Sequence, residues 1–176
     1  MLEVKKMNIR EVCKKYNLPQ EIAQILEQDG IKELFPPQKS ALKAGVLNGR
    51  NLVLSLPTAA GKTLVAELCM LKSILNDRQC RCLYVVPLRA LASEKYEDLK
   101  NKYEKLAIKI GISTGDFDTN SEALAKYQIL VATSEKVDSL LRFRTRWLTD
   151  FLKVLVLDEI HLLGDESRGP TLEILT

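Results

Sequence analysis

From Asn51 to Thr63 the chain reads NLVLSLPTAAGKT. The last three residues, Gly61-Lys62-Thr63, fit the close of a phosphate-binding loop, but Leu56 stands where the general pattern G-x-x-x-x-G-K-[ST] has its first glycine. In such a loop, backbone N–H groups and the N-terminus of the following helix bind phosphate, a lysine reaches the outer phosphate oxygens and a hydroxyl holds magnesium. Gly61, Lys62 and Thr63 are the residue types for those roles. The triplet occurs often enough by chance that its surroundings must decide. NLVLSL ahead of it reads as a buried strand. From Lys62 to Leu75 nearly every turn is apolar (Leu64, Val65, Leu68, Leu71, Leu75), the pattern of a helix packed on a sheet.

Working outward, the alternation repeats. RCLYVVP reads as a strand and PLRALASEKYEDLKNKY as a helix with Pro87 near its start. IKIGIST, QILVATS and KVLVLDE give three more short strands, with SEKVDSLLR helical between the last two. Short apolar strands alternating with helices predict an α/β fold, a parallel sheet covered by helices on both faces. Upstream, a helix is expected from about Gln38 to Leu47, ending at Asn48-Gly49, and residues 7 to 28 hold two short helical patterns parted by Asn17-Leu18-Pro19 and stopped by Gly30. This gives a helical lead-in over 1–30 and one nucleotide-binding domain over 31–176, with FDTNSEAL, about 117 to 124, as a loop.

Bulk composition limits the alternatives. The 176 residues are 46% hydrophobic and 28% charged, which suits one domain with a substantial core. Lys plus Arg number 26 against 23 Asp plus Glu, so a net charge of +3 does not by itself argue for a nucleic-acid partner. The four cysteines form no C-x-x-C pair and are expected to be reduced thiols. No apolar run approaches a membrane span and MLEVKKMNIREV has no signal-peptide core, so a soluble, cytoplasmic protein without a membrane partner is expected.

A phosphate loop needs a carboxylate at the end of a neighbouring strand to hold magnesium, and a group to orient the attacking water. LKVLVLDEIH supplies both types, Asp158 at the strand's end and Glu159 one residue on. Alternatively, Asp158 caps the short helix that follows and Glu159 is solvated; the strand context together with Lys62 favours the nucleotide reading. The run Arg142-Phe143-Arg144-Thr145-Arg146-Trp147 mixes basic and aromatic residues, yet Trp147 is expected to pack where a helix meets the last strand, with the arginines solvated.

Taken together, FPPQ, PTAAGKT, PLRALASEKY, TGDFD, TSEKVDSLLR, DEIHLL and RGPTLEIL resemble the superfamily 2 DExH-box helicases, most closely the archaeal Ski-two-like DNA helicases that act on forked DNA. The resemblance covers about residues 30 to 176. It accounts for Leu56, because this branch carries T-A-A-G-K-T and does not keep the first glycine. It implies a RecA-like P-loop NTPase domain using ATP and Mg2+. Pro57, Thr58, Ala59, Ala60, Gly61, Lys62 and Thr63 would hold the triphosphate, Thr63 and Asp158 the metal, and Glu159 would orient water. Gln38 would read the adenine edge with Phe35 on its apolar side, and His161 would link the nucleotide to the second motor domain.

The resemblance further implies that Arg89, Thr114-Gly115-Asp116 and Thr133-Ser134 contact the backbone of single-stranded DNA, largely without regard to sequence. Movement 3′ to 5′ in replication-fork repair or recombination, and a monomeric state, are expected on the same ground. The chain is expected to be an amino-terminal fragment, lacking the second RecA-like domain and its arginines. Such a fragment would hydrolyse ATP very slowly, since an arginine finger is worth about 10³ to 10⁵ in rate. An RNA helicase of the same superfamily, a non-helicase P-loop protein and a non-catalytic scaffold remain as alternatives, because backbone contacts do not settle the sugar.

Overall fold

In the computed structural model, which describes residues 7–57, 60–115, 121–143 and 145–160, the elements follow the alternation read from the sequence with one omission. The chain divides into two units, Met1–Asn76 and Asp77–Thr176.

In the first unit, α1 (Ile9–Lys15) starts at Asn8, whose side chain accepts the Arg10 N–H at 2.9 Å while Glu11 accepts the Asn8 N–H in return. Ile9, Val12 and Cys13 pack its apolar face against Ile22, Ala23 and Leu26 of α2 (Gln20–Gln28). The pair is tied onward by a bridge between Asn8 and Glu33 and by the Tyr16 hydroxyl, which donates to the Leu42 carbonyl at 3.2 Å. Next comes α3, Pro36–Lys43, with prolines in its first turn where no N–H is required. It ends earlier than expected because Gly45 takes φ +94°, and a 3-10 turn, Val46–Asn48, replaces the last predicted turn. The unit closes with α4, Lys62–Asn76, whose Leu64, Val65, Leu68, Leu71 and Ile74 are buried.

The omission is residues 51–56. They form no strand, and Val53 is 83% exposed. The expectation of a buried strand there is corrected: β-branched and leucine-rich composition favours extended backbone, but a strand also needs a ladder partner, and these residues have none among the described ones.

The second unit holds a four-stranded parallel sheet among the described residues, ordered β2-β3-β1-β4, with β1 Arg81–Val86, β2 Ile110–Ser113, β3 Ile129–Thr133 and β4 Leu152–Leu157. β1 and β3 are buried on both faces, as their unbroken apolar composition requires, whereas β4 alternates between exposed and half-buried positions. On one face Leu83, Val85, Leu130 and Ala132 pack with Val137 and Leu140 of α6 (Ser134–Arg142) and Trp147 and Leu148 of α7 (Arg146–Phe151). Burial of each large side chain there contributes about 1.5–3 kcal/mol. Trp147 thus packs in the core beside the last strand, as expected, and Arg142 pairs with Asp138 at 2.8 Å on the surface. The opposite face carries Tyr84 and is covered by α5 (Arg89–Tyr103), whose Lys95 ammonium lies 5.7 Å from the Tyr84 ring centre. All four cysteines are free thiols. Burial pushes those of Cys13 and Cys69 up to about 11, far from reactive.

Candidate nucleotide site

The phosphate-loop half lies in the first unit. Gly61 takes φ +79°, a conformation that costs a side-chain-bearing residue dearly, and delivers the chain directly into α4, so that Lys62 and Thr63 form its first turn. A turn bond from Ala60 N–H to the Pro57 carbonyl, 3.2 Å, tightens the approach. The Lys62 ammonium donates to the Leu56 carbonyl at 3.2 Å, closing the loop on itself. An ammonium has three donors, so this bond leaves capacity for phosphate oxygens.

Gln38 is buried, 3% exposed, and both ends of its amide are engaged. Its Oε1 accepts the Phe35 N–H at 2.8 Å and its Nε2 donates to the Gly61 carbonyl at 2.9 Å. A Cβ added at Gly61 would collide with that same Nε2. Gln38 therefore braces the loop's turn, a role that FPPQ spacing alone does not reveal, and Phe35, 57% exposed, stands open beside it. Pro57 is exposed, while Thr58 and Ala59 lie outside the described residues.

The carboxylate half lies in the second unit. β4 runs parallel to β1 with Tyr84 opposite Val156 and Val85 opposite Leu157, and the ladder continues as the Asp158 N–H donates to the Val85 carbonyl at 2.9 Å. Alternation then puts Tyr84, Val156 and Asp158 on one face. The Tyr84 hydroxyl donates to Asp158 Oδ2 at 2.7 Å, and the Glu159 N–H donates to Oδ1 at 3.0 Å. Glu159 takes φ +56°, a left-handed conformation costing about 1–3 kcal/mol for a non-glycine residue. His161 lies outside the described residues.

A carboxylate offers about four lone-pair sites, and the two bonds to Asp158 use two of them. What remains is a fixed, hard oxygen donor at a strand's end. Magnesium is held by one or two carboxylates with substrate phosphates and water rather than by a protein cage. The Asp158 carboxylate is of the donor type that holds Mg2+ bound with a nucleotide.

Because all four strands are parallel, their carboxyl ends share one edge of the sheet. Arg89, exposed, opens α5 after β1; Thr114 and Gly115 follow β2; Thr133 ends β3 and Ser134 opens α6; Asp158 follows β4. Asp116 lies outside the described residues. Thr133 and Ser134 are buried, and the Ser134 hydroxyl makes no hydrogen bond. Contacts from that corner would fall to backbone N–H groups at the start of α6.

With this geometry in place, comparisons with known proteins converge. The DEAD/DEAH box helicase family profile matches residues 35–176. An ATP-dependent DNA helicase Hel308 of Pyrococcus abyssi (strain GE5 / Orsay) is 48% identical over 159 residues, covering 90% of this chain and 22% of that protein. The Hel308 of Methanocella arvoryzae is 50% identical over 163 residues, 90% of this chain and 22% of that protein. Among solved structures, the DUF1998 helicase MrfA bound to DNA superposes with a TM-score of 0.73 at 31% identity, over 82% of this chain and 22% of that one. The chain thus spans about a fifth of the length of these relatives. Its parallel sheet flanked by helices is the RecA-like α/β fold of helicase motor domains, and the chain belongs to the DEAD/DEAH box helicase family.

Proposed function

We propose that this chain is the first RecA-like motor domain of an ATP-dependent DNA helicase, residues 31–176, led by a helical segment over 1–30. The single observation that carries the reading is the braced turn at Gly61, which sets Lys62 and Thr63 at the head of a 15-residue helix. Lys62 binds the outer phosphates, Thr63 and Asp158 hold Mg2+, and Glu159 and His161 complete the hydrolytic and coupling machinery. The metal, when bound, neutralises charge on the phosphates. Pro57, Thr58, Ala59 and Ala60 line the phosphates, and Phe35 sits against the base. Gln38 reads the adenine edge with the second N–H and the second lone pair of its amide, which the bonds to Phe35 and Gly61 leave over.

Arg89, Thr114, Gly115, Asp116, Thr133 and Ser134 track the sugar-phosphate backbone of single-stranded or forked DNA along the sheet's carboxyl edge. A second RecA-like domain of the same protein closes over the nucleotide, the motor moves 3′ to 5′, and the protein works as a cytoplasmic monomer in fork repair or recombination. No helix among the described residues is long and apolar enough to cross a membrane. ATP hydrolysis by the full-length protein, titrated with single-stranded DNA, RNA and forked duplex, tests the reading. Stimulation by DNA well above RNA is expected; equal stimulation by RNA overturns the DNA assignment, and indifference to all three overturns the motor.

A further inference from the structure

The bond between Tyr84 and Asp158 belongs to no sequence motif. Tyr84 lies in the middle of the central strand and is 1% exposed, so its hydroxyl must find a partner inside the protein. It could reach only along its own face of the sheet. Two residues of parallel strand rise about 6.6 Å, close to the length of a tyrosine side chain, which brings the hydroxyl from the level of Val156 to the level of Asp158. From the other side, the Lys95 ammonium of α5 lies 5.7 Å from the ring centre and favours one seat for it.

We propose that Tyr84 is a positioning residue for the metal-holding carboxylate. Its hydroxyl occupies one lone pair of Asp158 Oδ2, while the Glu159 N–H occupies one of Oδ1, so the two oxygens are held at a fixed rotation about the side chain. The carboxylate then meets a metal without first losing rotamer freedom. Hydrogen-bond partners of metal ligands typically change metal affinity or activity 10- to 100-fold when removed. This inference rests on the nucleotide-site reading above, since it takes Asp158 as the metal's ligand.

The test measures Mn2+, as a probe for magnesium, by electron paramagnetic resonance in the full-length protein with a non-hydrolysable ATP analogue. Tyr84→Phe keeps the ring and removes one oxygen. It is expected to weaken Mn2+ about 10-fold, with the analogue's affinity in EDTA unchanged. Mn2+ affinity within twofold of the parent overturns the proposal, as does a parallel loss of metal-free nucleotide binding, which a purely structural tyrosine would cause. Asp158→Ala is measured alongside: if it leaves Mn2+ affinity intact, the nucleotide-site reading fails and this inference with it. If Asp158→Ala weakens Mn2+ and Tyr84→Phe does not, only the inference fails. As a check that does not disturb packing, 3-fluorotyrosine at position 84 should shift its 19F resonance when Mg2+ joins the nucleotide complex and stay still in Asp158→Ala. No shift in the parent counts against the proposal.

Discussion

The candidate phosphate loop and the candidate metal-holding carboxylate are held by different means. Asp158 is placed by the sheet: its own N–H extends the β1–β4 ladder and its carboxylate is gripped by a tyrosine two positions away in register. Lys62 is placed by a loop whose turn depends on one buried amide, Gln38, and whose preceding residues 51–56 join no strand ladder among the described residues. Ladder bonds share their load along a strand; a brace does not. The Asp158 backbone should therefore hold its place when its neighbours change, its carboxylate depending on Tyr84 alone of the side chains, whereas the loop should fail as a unit when Gln38 or Gly61 is altered.

The largest effect expected is on chemistry. Lys62→Ala removes the charge proposed to bind the phosphates and should lower DNA-stimulated ATP turnover about 10²- to 10³-fold, as loss of one charge-stabilising donor does elsewhere; steady-state kinetics on the full-length protein measures it. Next comes the brace. Gln38→Ala strands the Phe35 N–H and the Gly61 carbonyl, and two unsatisfied groups should cost about 2–4 kcal/mol, read from the urea midpoint at constant slope. A cost below about 0.5 kcal/mol would mean that water replaces the amide and that the loop stands without it.

Gly61→Ala comes third, with about 1–3 kcal/mol expected from its positive φ and the collision with Gln38 Nε2. Pairing it with Gln38→Ala sharpens the contrast, because the double variant should cost less than the sum of the two. The smallest effect is at Val53. At 83% exposure, Val53→Ser should change stability by less than about 0.5 kcal/mol. A loss of 2 kcal/mol or more, the range for emptying a core position, would restore the buried strand that the composition of NLVLSL suggests.

That last case marks where sequence reading stops. RCLYVV and QILVATS read as buried strands from their apolar runs, and both find ladder partners; NLVLSL has the same local pattern, but pairing is a property of two segments and only one is visible in a local pattern. Gly61, Lys62, Asp158 and Glu159 stand out as candidates from residue type and order. Tyr84 does not, because its bond to Asp158 depends on the register that sets it opposite Val156, and Gln38 shows its motif but not its grip on Gly61. Trp147 was readable as core because an aromatic beside a strand start usually buries, whereas its basic neighbours carry no such constraint.

The proposed function requires Lys62 and Asp158 to act on one nucleotide. The most direct measurement is a crystal structure of the full-length protein with Mg2+ and a non-hydrolysable ATP analogue. The Lys62 ammonium is expected on the analogue's phosphates and the Asp158 carboxylate at the magnesium they bind, directly or through water. An analogue bound by the first unit alone, with Asp158 turned to other partners, would contradict it.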